Sequence, residues 1–110
     1  MFKFKINNME WKLYEKSKQE LLDRYNANQE QKACYVFGVT LYPEHEIWIN
    51  QEMCFEQQLK TLKHELTHCY IWSHGMYNIT EYTEELICDL VSASNDFINE
   101  VVEKYKKQMR

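Results

Sequence analysis

The sequence lacks any long hydrophobic run, any excess of positive charge and any internal repeat. No apolar stretch approaches the length of a signal-peptide core or a membrane span, so we expect a cytoplasmic protein without a membrane partner. The net charge of −4 argues against a nucleic-acid partner, because phosphate binding needs a basic face. The one basic cluster, Lys104, Lys106, Lys107 and Arg110, is interpreted as complementing the dipole at a helix C-terminus.

Closely spaced cysteines are also missing. The four cysteines, Cys34, Cys54, Cys69 and Cys88, include no C-x-x-C pair. In a reducing compartment we interpret them as small buried hydrophobic residues. Disulfides and a separate cysteine zinc site are the less favoured alternatives.

A chain of 110 residues is long enough for one small core, so residues 1–110 are predicted to form a single domain. The alternation in Phe2–Ile6 predicts a half-buried strand. Asn7 and Asn8 are possible N-caps of a helix that reaches about Tyr25, and the polar segment 26–32 is predicted to be a loop.

The middle of the chain predicts a β-hairpin followed by a long helix. Ala33–Leu41 is rich in strand-forming residues, and Gly38 within it indicates a bulge or a close approach of the backbone. Tyr42–His45 is the predicted turn and Glu46–Ile49 the returning strand. Asn50 is then expected to cap a helix that runs from about residue 51 to residue 72.

This predicted helix contains the most informative motif, H-E-x-x-H, at residues 64–68. Residues four apart on a helix lie on the same face, so His64 and His68 can reach one metal ion while Glu65 flanks it. Zinc bound in this way acidifies a water molecule, and the neighbouring carboxylate can accept its proton. The motif therefore predicts a Zn²⁺ site with Glu65 as the catalytic residue.

The same helix has an apolar stripe on another face. That stripe comprises Phe55, Leu59, Leu62, Leu66, Cys69 and Tyr70. His64 and His68 point nearly the opposite way, so the histidines are not part of the predicted core.

A catalytic zinc site usually has a third protein ligand. The last helix, for which Asn78 and Glu81 have capping-box spacing, offers Glu85 as that ligand. Asp89 lies on the same face, where it can accept a hydrogen bond from a ligating histidine. Glu84 and His74 are alternative third ligands; His74 has the spacing of a third histidine in a longer motif, but Ile71 stands where that motif requires glycine.

The run Lys63–His68, followed by Glu84–Val91, resembles the small metallopeptidase-like proteins of phages and integrative elements of Gram-positive bacteria. More broadly it resembles the ImmA/IrrE family and the glutamate-zincin clan to which thermolysin belongs. The likeness covers about residues 38–91. It implies His64, His68 and Glu85 as zinc ligands, Glu65 as general base and Asp89 as the partner of a ligating histidine.

The resemblance further implies a small zincin-like α+β domain, in which a short antiparallel hairpin or sheet packs on three helices. It also implies an edge strand above the cleft that could align an extended peptide by main-chain pairing. The expected element order is β-α-β-β-α-α.

The expected function is zinc-dependent hydrolysis of a peptide bond in a peptide or protein substrate. A second hypothesis is a catalytically inactive phage or mobile-element accessory protein that keeps a structural zinc site for protein binding. A third is a helical interaction module without metal.

Overall fold

The chain folds into an α+β structure, as predicted, in which a four-stranded sheet is accompanied by three helices. Its elements in chain order are β1 (Phe2–Ile6), β2 (Met9–Lys16), α1 (Lys18–Asn26), β3 (Gly38–Leu41), β4 (Glu46–Asn50), α2 (Phe55–Ser73) and α3 (Glu84–Met109). This computed structural model describes the backbone of residues 1–75 and 84–109 and, within α3, the side chains of residues 90, 91 and 93–108. None of the described helices combines the length and the apolar character that a membrane crossing requires.

The N-terminal region forms a β-hairpin where the sequence predicted a helix beginning at Asn7 or Asn8. Both asparagines have positive φ angles, 49° and 68°, as in a two-residue type I′ hairpin turn. β1 and β2 pair antiparallel across this turn. The helix predicted to reach Tyr25 is therefore reduced to α1, whose N-cap is Ser17. The predicted element order was wrong at this point.

The sheet is mixed, with the strand order β1-β2-β4-β3. The β1–β2 and β3–β4 pairs are antiparallel, but β2 and β4 run parallel at the centre. The chain leaves β2, passes through α1 and returns by the β3–β4 hairpin, so β4 enters beside β2 in the same direction. The predicted antiparallel sheet was therefore wrong at the central pair. β1 and β3 are the two edges of the sheet.

The β3–β4 hairpin is present, and its turn occupies Tyr42–His45 as predicted. The strand predicted over Ala33–Leu41 is shorter, because β3 begins only at Gly38. His45 closes the turn with a positive φ of 54°.

α2 begins later than predicted. Asn50 was expected to cap a helix starting at residue 51, but its side-chain oxygen accepts a hydrogen bond from the Glu52 amide at 2.8 Å and closes a turn instead. The Asn50 amide group also donates to the Val36 carbonyl at 3.3 Å. The helix starts at Phe55, after the N-cap Cys54. At its other end Gly75 adopts the expected left-handed conformation, with φ of 74°.

The core lies between one face of the sheet and the helices α2 and α3. Its most buried side chains include Phe2, Trp11, Leu13, Ile47, Ile49, Leu62, Leu66 and Tyr105. The predicted stripe of α2 points into this core, and Leu62, Leu66 and Cys69 have no exposed surface. The Trp11 indole N–H donates to the Ser73 hydroxyl at 3.1 Å and ties β2 to the end of α2.

The cysteine prediction is correct for only one of the described residues. Cys69 is buried on α2, whereas Cys34 and Cys54 are exposed, because they lie in surface connections before β3 and α2. All three are free thiols. The side chain of Cys88 lies outside the described residues.

Candidate metal centre

Helix α2 presents its two histidines on the side that faces away from the core. The helix is anchored by the buried stripe described above, and His64 and His68 are both exposed on its surface. Because the two residues are one turn apart, their rings lie 4.9 Å apart between centroids. The orientation predicted from the helical spacing is thus present.

The distance between the two imidazoles suits a shared metal ion. The Nε2 atoms of His64 and His68 are 3.2 Å apart. Two nitrogens that each lie at the usual zinc distance of about 2.0–2.1 Å, with a tetrahedral angle between them, would be separated by about 3.3 Å. The separation of the two nitrogens is therefore close to that of two ligands of one tetrahedral zinc ion, and without a metal it is also that of an N–H···N hydrogen bond between the rings.

The carboxylate of Glu65 lies close to the two imidazoles. One ligand atom each from His64, Glu65 and His68 lies within 4.8 Å of the others, and no other set of three His, Cys, Asp or Glu residues does so in the described part of the chain. Burial lowers the pKa of His68, and the nearby His64 lowers it further. His68 thus keeps the neutral form that a metal ligand requires to a lower pH than an ordinary histidine.

Glu65 differs from the histidines because it is buried, with 5% of its surface exposed. The Thr40 hydroxyl on β3 donates to its Oε1 atom at 3.4 Å. Burial raises the pKa of Glu65, while His64 and the hydrogen bond from Thr40 oppose that rise. The carboxylate is therefore a stronger proton acceptor than an exposed glutamate and lies directly beside the histidine pair.

Gly38 allows β3 to approach α2 closely. A Cβ atom at this position would lie 2.7 Å from the Thr61 methyl group and 3.4 Å from Cγ of Glu65. The close backbone approach predicted for Gly38 is confirmed, and it is the reason that Thr40 can reach Glu65.

A cavity of about 410 Å³ opens beside the histidine and carboxylate group. Gly38, His64 and Glu65 form one end, and Phe37 and Lys60 contribute an aromatic ring and a positive charge. Half of the Phe37 surface is exposed, so its ring is accessible to a ligand in this cavity. The space is sufficient for a side chain of a bound peptide.

Two residues that shape the surroundings of Glu65 belong to no motif in the sequence. Thr40 is one, and Tyr42 is the other: burial raises the pKa of Tyr42, and Glu65 and Cys69 raise it further. Both belong to the β3–β4 hairpin. The only signal for them was the hairpin position itself, since contact with α2 depends on the tertiary structure.

The side chains of three of the residues predicted around the metal lie outside the described part of the chain. Glu84, Glu85 and Asp89 occupy the first turns of the α3 backbone, and their side chains are not among those described. His74 is described: it follows the end of α2, its ring stacks on Tyr70 with centroids 4.2 Å apart, and its Nδ1 lies 3.0 Å from the Tyr70 carbonyl oxygen. His74 is not a member of the group that His64, Glu65 and His68 form among the described residues.

Comparisons of this chain with protein families, with curated proteins and with solved structures found no match.

Proposed function

We propose that the protein is a zinc-dependent hydrolase that cleaves a peptide bond. One observation carries this proposal: two imidazole nitrogens 3.2 Å apart lie beside a buried carboxylate whose pKa is raised. Such a combination of metal ligands and a proton acceptor is what hydrolysis by an activated water requires.

His64 and His68 would hold the ion, with Glu85 as the third ligand and Glu84 as the alternative. His74, the other alternative from the sequence, is less favoured because its ring stacks on Tyr70 outside their group. Zinc in this position supplies an acidified water and a Lewis acid for the scissile carbonyl. Asp89 would accept a hydrogen bond from one ligating imidazole and hold its orientation. The resemblance to the ImmA/IrrE family and to the zincin fold is part of this proposal and depends on the same residues.

Glu65 would accept the proton of the attacking water and pass it to the leaving amine. Its raised pKa suits both transfers, because a general base works best when its pKa approaches the operating pH. Thr40 would position the carboxylate by its hydrogen bond.

The substrate would be an extended peptide or protein segment that pairs with β3. This strand is an edge of the sheet and lies against the helix that carries the histidines. An edge strand offers unpaired backbone groups to an extended chain, and the adjacent cavity offers space for one of its side chains.

The test compares Glu65→Gln with Glu56→Gln, a matched change at an exposed position of the same helix. We expect Glu65→Gln to retain stoichiometric zinc and to lose peptide turnover by roughly 100-fold or more, the scale of a missing general base. Glu56→Gln should retain both properties. Elemental analysis and cleavage of a mixed peptide library measure the two.

Other outcomes separate the alternatives. A wild-type protein that binds zinc and cleaves no peptide would favour a structural zinc site used for protein binding. Absence of zinc from the purified protein, or unchanged turnover by Glu65→Gln, would overturn the proposal. Substituting Glu85, Glu84 and His74 one at a time identifies the third ligand by loss of zinc.

A further inference from the structure

A second groove lies at the opposite edge of the sheet from the histidine pair. It runs between β1 and the C-terminal half of α3 and encloses a cavity of about 640 Å³. β1 and β3 are separated by two other strands, so the two edges lie roughly 14 Å apart at the usual strand spacing. The groove is therefore distinct from the candidate metal centre.

One wall of this groove is an edge strand. Among the described strands, β1 pairs only with β2, so its other side presents unpaired backbone N–H and C=O groups. The facing wall is helix α3, which contacts the strand through the edge-on rings of Phe2 and Tyr105 at 5.9 Å. A strand edge beside a helix has the shape that accepts one additional extended chain.

The chemistry of the groove combines an apolar floor with a basic rim. Phe2, Phe4 and Val101 form the floor and are nearly buried. The rim carries four lysines from two distant parts of the chain: Lys3, Lys5, Lys104 and Lys107. Among the described residues Glu100 is the one acidic residue that lines the groove, and it pairs with Lys104 at 2.9 Å.

This local excess of positive charge contrasts with the net charge of −4 for the whole chain. Lys3 also lies 3.9 Å from Glu10 of β2, so the four lysines of the groove are offset by two carboxylates, Glu10 and Glu100, and a local excess of positive charge remains. The sequence suggested only that the C-terminal lysines complement a helix dipole. The structure places two of them along the same groove as two lysines of β1.

We propose that this groove binds an acidic, extended segment of a partner protein, which adds to the sheet as a strand beside β1. Apolar side chains of that segment would rest on the floor, and the alternating acidic side chains would face Lys3 and Lys5. A second copy of this chain is a poor occupant, because pairing β1 with another β1 would place lysine beside lysine.

The test uses three synthetic peptides of about seven residues, and binding is followed by amide chemical shifts and fluorescence anisotropy. The first alternates glutamate with valine, the second alternates lysine with valine, and the third is the acidic peptide with N-methylated backbone amides. Only the first should bind with saturation, and the shifted amides should lie in β1 and the second half of α3.

Two double variants with equal changes in net charge locate the interaction. K3E/K5E should weaken binding of the acidic peptide by about tenfold or more, since reversed rim charges repel it. K32E/K63E, at exposed positions that line neither cavity, should leave it unchanged. Circular dichroism establishes that both variants are folded.

The proposal fails if the acidic peptide does not bind with saturation, if both double variants bind it equally, or if the N-methylated peptide binds as well as its parent. Preferential binding of a fatty acid over the acidic peptide would also overturn it, because the groove would then recognise an amphiphile.

Discussion

The hydroxyl of Thr40 on the edge strand β3 donates to the carboxylate of Glu65 on α2, at 3.4 Å. This contact joins the strand that would align a substrate to the residue that would accept a proton. Because a hydrogen bond to the charged form of a carboxyl group lowers its pKa, Thr40 restrains the rise that burial imposes on Glu65.

Thr40→Val is therefore expected to raise the pKa of Glu65 further, because the donor is lost while the side-chain volume is kept. If Glu65 acts as a base, the acidic limb of the pH–rate profile should move to higher pH. Titration of the Glu65 carboxyl carbon by NMR provides a readout that does not depend on activity. Thr40→Ser keeps a hydroxyl and should behave as the wild type; equal effects of both substitutions would contradict the role of the hydrogen bond.

Glu65→Gln should stabilise the metal-free fold at neutral pH. The folded state holds the Glu65 proton more tightly than the unfolded chain does, because burial raises its pKa. The contribution of Glu65 to the free energy of unfolding therefore falls as the pH rises above the ordinary glutamate pKa. Removing the charge should raise Tm at pH 7 by roughly 2–5 °C.

The pH dependence of the Tm difference between Glu65→Gln and the wild type tests this prediction more sharply than the value at pH 7 alone. The lowered pKa of His68 contributes the opposite slope, since stability rises as the pH increases toward the ordinary histidine pKa. The variant and the wild type share His68, so most of its contribution cancels when the Tm values of the two chelator-treated proteins are subtracted. The gain in Tm should shrink as the pH falls toward 4; a gain that is constant with pH would show that the charge is not its cause.

Gly38→Ala should separate β3 from α2. Its methyl group would meet the Thr61 methyl at 2.7 Å, so the strand or the helix must move, at a cost of roughly 1–3 kcal/mol. The contact between Thr40 and Glu65 should weaken at the same time, which the carboxyl titration would detect. Chemical denaturation measures the stability.

Gly75→Ala is the matched control for Gly38→Ala. Its φ of 74° makes alanine unfavourable by roughly 1–2 kcal/mol, but a Cβ there has no neighbour within 4 Å among the described residues. We expect lower stability without a change in the titration of Glu65. If Gly75→Ala alters that titration as strongly as Gly38→Ala, the close packing at Gly38 is not the cause.

The Asn7–Asn8 turn predicts opposite effects for two small residues. Both positions have positive φ, so Asn8→Gly should be neutral or stabilise the fold by a few tenths of a kcal/mol, whereas Asn8→Ala should destabilise it by about 1 kcal/mol. Thermal unfolding distinguishes them. A helix across residues 9–16 would give the reverse order, since alanine favours helix.

There is a physical reason why the sequence predicted the start of a helix at Asn7 and Asn8 and the structure has a turn. Asparagine serves both as a helix N-cap and as a residue of a type I′ turn, so the pair Asn7–Asn8 favours either structure. β2 then gains its stability from two neighbours, β1 in the hairpin and β4 from a distant part of the chain. The parallel partner is not visible in the local sequence pattern.

Features that depend only on residues close together in the chain could be predicted from the sequence. The placement of His64 and His68 on one face depends only on the helical period, and the end of α2 at Gly75 depends on the conformational freedom of glycine. The turn at Tyr42–His45 likewise involves residues that are adjacent in the chain.

The amino-acid sequence alone determined the pair of imidazoles, because one turn of helix, residues 64–68, suffices to bring them together. Only the tertiary structure decided that Glu65 is buried against β3, and that the strand carrying Lys3 and Lys5 lies beside the end of α3. These relationships join segments that are 25 to about 100 residues apart. They form only when the sheet is assembled and the helices pack on it, so no local periodicity contains them.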